Sequence, residues 1–256
     1  MPGATIPYEG LRLRAAGPDQ VSRARPWGVW ATCAWTCAGV LFISMIEVAN
    51  RGWDLGLSLG PRIVWAIMAY CAVVAMIVLA TRSTRVPMRD YLGLARPRLR
   101  DILLGIVAAI LVYATQSILQ PILQSIISAF IEPTAGPAPT APVAPVSDFI
   151  LVLAYFETII LAPIAEEVLF RGFMYRGLVS RLGNVATLLI TSAAFGLIHK
   201  VYGYSWEHVV WASYIGLFLG ALRWYTGGIA ASILAHAVSN SPLIPVVVGL
   251  LAGWLI

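Results

Sequence analysis

The chain has 256 residues, 59% of them hydrophobic and 11% charged, with a mean hydropathy of +0.83. Soluble domains carry about 25% charged residues, so this composition excludes an ordinary water-soluble fold and places the chain among membrane proteins. The formal net charge is +5, and among the 17 basic residues Lys200 is the single lysine; this arginine bias reads as genome composition and implies no nucleic-acid partner.

Residues 1–25 are polar and arginine-containing, with no cleavage pattern behind them, so they are expected to form a cytoplasmic arm before an uncleaved first helix. A membrane span needs about 20 apolar residues. On that ruler the apolar runs are 27–46, 63–80, 102–130, 149–182, 185–199, 209–224, 228–240 and 244–256. The expected fold class is therefore an all-α polytopic membrane protein of about eight transmembrane helices, with its active site in the C-terminal helix bundle. Runs three and four exceed the bilayer and should tilt or kink, with Pro121 and Pro163 as the kink points. Cys33, Cys37 and Cys71 fall inside apolar runs and read as small membrane residues, not as a disulfide framework.

The organisation that follows has four parts. After the arm come the N-terminal transmembrane helices (26–131) and a Pro/Ala-rich extracytoplasmic loop (132–147) of extended character. A C-terminal unit (148–256) holds nearly all the polar residues at membrane depth. No internal repeat of the kind common in transporters is visible. Arginine placement orients the chain: Arg12, Arg14, Arg23, Arg25 and the cluster from Arg82 to Arg100 fall on one side, and Arg51, Arg62 and Lys200 on the other. By the positive-inside rule the N-terminus is cytoplasmic. The expected location is a cell membrane, bacterial in origin, with the lipid bilayer as a constant partner; oligomeric state is not readable.

Ionisable groups at membrane depth are costly unless paired, and so mark functional sites. Run four carries Glu157, Glu166, Glu167 and Arg171. Adjacent carboxylates point about 100° apart on a helix and cannot serve one identical partner. Glu167 and Arg171 are four residues apart, in the favourable order for a helical ion pair. Arg171 is thus expected to hold Glu167, leaving Glu166 for proton chemistry. With a helix continuing to Leu182 and Gly183 as its stop, Glu166 lies 16 residues before Leu182 and His199 16 after Gly183, each roughly 24 Å from the turn at 1.5 Å per residue, and so level in an antiparallel hairpin. His236 rises roughly 14 Å from a second turn at Thr226–Gly228, with Asn240 one turn further on the same face.

Taken singly, these features have plainer readings. Glu167–Arg171 could be a structural ion pair, and a lone intramembrane histidine could bond one helix to another. His208 beside Glu207 reads as a solvated residue of an outer loop, and Glu157, two to three turns above Glu166, reads as lying outside the site. Convergence of two carboxylates, two histidines and an asparagine at one depth is what points to chemistry.

As spaced, these residues resemble the CPBP family of membrane proteases, typified by the type II CAAX prenyl endopeptidase. Glu166-Glu167-Val-Leu-Phe-Arg171 resembles Glu-Glu-x-x-x-Arg, Phe195-Gly-Leu-Ile-His199 resembles Phe-x-x-x-His, and His236-Ala-Val-Ser-Asn240 resembles His-x-x-x-Asn/Asp. The resemblance spans about residues 150–242 and leaves the first three helices without a match. It implies an intramembrane endopeptidase acting on a membrane-inserted or membrane-associated protein or peptide. Glu166 and His199 would activate water, and His236 and Asn240 would support the oxyanion. Phe195 would pack the site. No cofactor is favoured; the alternative is a zinc ion bound by Glu166 or Glu167 with His199 and His236, although the sequence lacks His-Glu-x-x-His. The rival functions are a proton-coupled transporter and a catalytically silent immunity or scaffold protein.

Overall fold

A computed structural model describes residues 27–52, 59–84, 86–130 and 147–253. The arm and nearly all of the Pro/Ala-rich loop lie outside the described residues. The described residues are all-helical, with no strand among them. Helix α1 runs Val29–Gly52, α2 Leu59–Arg82, and the short α3 Met88–Leu92. The long α4 covers Leu99–Phe130. The C-terminal half follows with α5 (Asp148–Phe156), α6 (Ala162–Glu167), α7 (Tyr175–Val201), α8 (Trp206–Thr226), α9 (Ala230–Ser239) and α10 (Ile244–Gly253). Two π-helical turns, Glu157–Leu161 and Val168–Met174, join α5 to α6 and α6 to α7.

Each apolar run has a helix over most of its described residues, with two differences in what those helices form. First, three helical stretches are long and apolar enough to cross a membrane: Leu59–Arg82, Leu99–Ile126 and the unbroken Asp148–Val201. The last two runs, α9 and α10, meet at 82° and form a broken span or re-entrant loop in place of two separate crossings. Second, the 54-residue stretch Asp148–Val201 is not straight. Gly183 inside it adopts φ 73°, ψ 174°, a conformation open to glycine, and the chain reverses there. Phe170 and Phe195 would stand roughly 37 Å apart on a continuous helix, yet their ring centroids are 5.5 Å apart. The expected hairpin therefore exists.

The caps are local. Ser147 and Ser205 accept from the amides of Ile150 and His208, and Gly93 and Gly227 close α3 and α8 with positive φ. Pro121 is accommodated within an uninterrupted α4, whereas Pro163 follows immediately on the first π turn. Proline offers no N–H to the preceding turn, and widening to π geometry absorbs that loss.

The core is aromatic and aliphatic: Tyr91, Phe170, Phe173, Phe195, Ile77, Leu169 and Ile198 are all within 2% of full burial. The outside is apolar too. On α4, Leu103, Val107, Leu111, Ile118 and Ile122 are exposed and recur at spacings of roughly one turn, a stripe that needs lipid rather than water. The three cysteines are free thiols within helices. An all-helical fold clad in apolar side chains is the signature of a polytopic membrane protein.

Candidate active site

The polar centre begins on α6 and its π turn. Glu166 is 4% exposed, Glu167 and Arg171 fully buried. Arg171 Nη1 donates to Glu167 Oε1 at 2.9 Å, as the four-residue spacing predicted. The same guanidinium donates through Nη2 to the Gly216 carbonyl of α8 at 3.0 Å and lies 4.5 Å above the Phe195 ring. Gly216 makes this approach possible: a Cβ there would sit 3.2 Å from Arg171 Nη2 and 3.0 Å from the Ser192 Cα. Inside the second π turn, the Arg171 carbonyl accepts from Arg223 Nε at 2.9 Å. This contact spans 52 residues and carries no local signal in the sequence.

His236, 6% exposed on α9, stands between the two glutamates. Its Nδ1 is 3.3 Å from Glu167 Oε1, and its Nε2 is 3.8 Å from Glu166 Oε2. A carboxylate already held by arginine can only accept, so Nδ1 carries a proton and Nε2 faces Glu166.

His199 lies on the returning limb of the hairpin. Glu166 precedes Phe170 by four residues and His199 follows Phe195 by four, so the contact between those rings sets Glu166 and His199 at a common level. His199 Nδ1 is 2.8 Å from the Phe195 carbonyl, which fixes Nδ1 as the donor and turns Nε2 outward as the free acceptor. Phe195 sits edge-on between the two imidazoles, 5.2 Å from His199 and 5.5 Å from His236. It is the spacer of the site, in line with the packing role expected for it. The imidazole beside Glu166 is thus that of His236, while His199 stands across Phe195.

Asn240 is exposed at the end of α9, and its Nδ2 donates to the Thr158 carbonyl in the first π turn at 3.0 Å. Glu157, half-buried in that turn, accepts from the Thr158 hydroxyl at 3.0 Å. A cavity of about 300 Å³ opens beside these groups, with Phe195, His199, His236 and Asn240 on its inner side and Ser205, Glu207 and His208 at the other. Glu166 stands beside this wall, its carboxylate 3.8 Å from His236 Nε2 and its side chain still 6% exposed.

Polar groups in and beside the cavity escaped the sequence reading, Gln116 and Gln120 of α4 among them. His208 is exposed, but it stacks on Tyr204 at 4.2 Å and lies 5.1 Å from the His199 ring, so it is part of the wall. Trp211 Nε1 and, beside His199, the Tyr202 hydroxyl are buried without a hydrogen-bond partner. The zinc set named from sequence does not converge: among the described residues no three His, Cys, Asp or Glu side chains are grouped to hold a metal. Glu167 Oε1 is taken by Arg171 and His236, and Phe195 keeps the imidazoles apart. The donor arrangement does not fit a three-ligand zinc site.

The fold and this centre together define a helical membrane protein with an ion-paired carboxylate–imidazole site. Residues 148–242 match the family model described as type II CAAX prenyl endopeptidase Rce1-like, from the first turn of α5 to just beyond Asn240. Over those residues the chain is similar to that family, which is consistent with a CPBP-type protease acting on a membrane-associated peptide or protein. No curated protein and no solved structure matches the chain.

Proposed function

We propose that the protein is an intramembrane endopeptidase of a bacterial cell membrane that hydrolyses a peptide bond without a metal ion. The observation that carries this reading is the position of His236 between two carboxylates, one of them neutralised by Arg171. Arg171 neutralises Glu167, and one proton between His236 Nε2 and Glu166 brings the quartet Arg171, Glu167, His236 and Glu166 to zero net charge, which suits a low-dielectric bundle.

In that state the labour divides. Glu166 is the acceptor and serves as general base for the attacking water, with the outward Nε2 of His199 as a second acceptor at the same level. The water's proton passes to the base as its oxygen bonds to the carbonyl carbon. His236 Nε2, which lies 3.8 Å from Glu166 without a hydrogen bond to it and borders the cavity, donates to the oxygen on which charge develops, and Asn240 lies one turn away along α9. Collapse of the tetrahedral species breaks the C–N bond, and the proton held at the base goes to the leaving amine. Arg171 touches nothing that reacts; it positions Glu167, which positions His236.

The test is a membrane-inserted peptide reporter, reconstituted with wild type and Glu166→Gln. Removing the base should lower the cleavage rate by about 10²–10⁴-fold while the protein still folds and melts cooperatively. A folded Glu166→Gln protein that cleaves like wild type overturns the mechanism. A wild type that cleaves no membrane-associated peptide points instead to a silent scaffold.

A further inference from the structure

The two ends of the bundle differ in charge, and the cavity belongs to only one of them. Arg82 closes α2, and Arg89, Arg98 and Arg100 surround α3 and the start of α4. Three contacts bring the last turn of α8 to the same place: Ile229 N donates to the Gly93 carbonyl at 3.1 Å, the Arg100 guanidinium lies 5.4 Å from the Tyr225 ring, and that of Arg223 lies 5.6 Å from the Tyr175 ring. The last of these also brings in the base of the Gly183 hairpin, with Arg181. The start of α1 joins them, since Trp27 Nε1 donates to the Ala80 carbonyl at 3.1 Å.

The opposite end holds the starts of α2 and α5 and the connection between α7 and α8. A Cβ on Gly60 would lie 3.2 Å from Ile150, which puts the first turns of α2 and α5 together. Asn240 links the π turn after α5 to the cavity that Ser205, Glu207 and His208 also line. Charge here is sparse and mixed: Arg62 and Lys200 against Asp148, Glu157 and Glu207.

Arginine accumulates on the cytoplasmic side of membrane proteins. The arginine-rich end is therefore cytoplasmic, and the cavity, whose exposed wall residues are Gln120, Ser205, His208 and Asn240, opens at the other end. We infer that this site admits its substrate from the extracytoplasmic side, as a membrane-proximal peptide segment of a translocated or membrane-anchored protein, and not as a tail presented from the cytosol. The inference rests on the protease reading for the word substrate, but the sidedness of the cavity is independent of catalysis.

Cysteine labelling decides it. In a full-length protein with Cys33, Cys37 and Cys71 replaced by alanine, single cysteines are placed by Glu207→Cys at the mouth, Lys200→Cys beside it, and Arg96→Cys at the arginine-rich end. Spheroplasts are treated with a membrane-impermeant maleimide before or after permeabilisation. Glu207→Cys and Lys200→Cys should label equally in both, and Arg96→Cys only after permeabilisation. The reverse pattern overturns the inference. So does a Glu207→Cys protein that reacts only once denatured, since the mouth would then be shut in the membrane; Lys200→Cys still reports the side if the mouth variant misfolds. Because no cleavage is measured, failure of the protease reading leaves this result standing, and the converse.

Discussion

Arg171 and Glu167 form a 2.9 Å ion pair with both side chains wholly out of solvent. Such a pair is weak evidence for stability as a pair, because desolvation offsets most of the attraction, but losing one partner strands the other. Here the surviving partner would be stranded beside His236, so stability and geometry are coupled at one point.

Arg171→Met should cost about 3–5 kcal/mol and abolish cleavage together with the fold's thermal transition as measured in detergent. Gly216→Ala should act more mildly through the same guanidinium. Its methyl meets Arg171 Nη2 and the Ser192 backbone, an overpacking cost of about 1–3 kcal/mol. Equal melting temperatures for wild type and Gly216→Ala would show that α7 and α8 separate freely, against the approach seen here.

The two histidines should part company in the same assay. His236 touches both carboxylates, whereas His199 bonds only the Phe195 carbonyl and meets Tyr202, Tyr204 and His208 by ring contact. His236→Gln should therefore lower both cleavage and melting temperature, since it loosens Glu167. His199→Gln should lower cleavage with a smaller loss of stability. If His199→Gln is fully active, His199 belongs to the cavity wall and Glu166 works with His236 alone.

These asymmetries could not be read from the sequence, though the inventory of residues could. Apolar runs of roughly membrane length declare themselves, and Gly183 marked its turn because few other residues accept its φ. The four-residue step from Glu167 to Arg171 has one geometric meaning on a helix, and equal spacing from the turn at Gly183 sets Glu166 level with His199. What stayed hidden depends on contacts between helices. Hydropathy cannot distinguish α from π geometry, so neither turn around α6 was visible. His208 looked like a loop residue because nothing nearby in sequence announces Tyr204 stacking on it. The 82° bend between α9 and α10 hid behind two runs that each looked like a short span.

Metal removal should leave the enzyme unaffected. Glu167 Oε1 is committed to Arg171 and His236, and Phe195 separates the imidazoles, so a zinc ion would have to draw the two histidines together past that ring before it could gather three ligands. Purified protein treated with a strong chelator and then freed of it should cleave at the untreated rate. Loss of activity that returns on adding zinc would mean that the site rearranges around a metal, and the charge-neutral quartet would fall with it.

Asn240 offers the sharpest separation of structure from chemistry. Its amide donates to the Thr158 carbonyl, pinning the end of α9 to the first π turn at an exposed position, where such a bond contributes only about 0.5–1.5 kcal/mol. As a pin alone, Asn240→Ala should shift the melting temperature slightly and leave the cleavage rate near that of wild type. As a group that also meets the substrate carbonyl, it should lower the rate by about 10²-fold or more for the same small change in stability. We expect the second outcome. Asn240 lines the cavity next to His236, and its amide nitrogen has a second hydrogen that the Thr158 bond leaves over. Thr158→Ala is the control: it keeps the accepting carbonyl and removes only the hydroxyl that serves Glu157, so a matching loss of rate there would trace the effect to the π turn and not to Asn240.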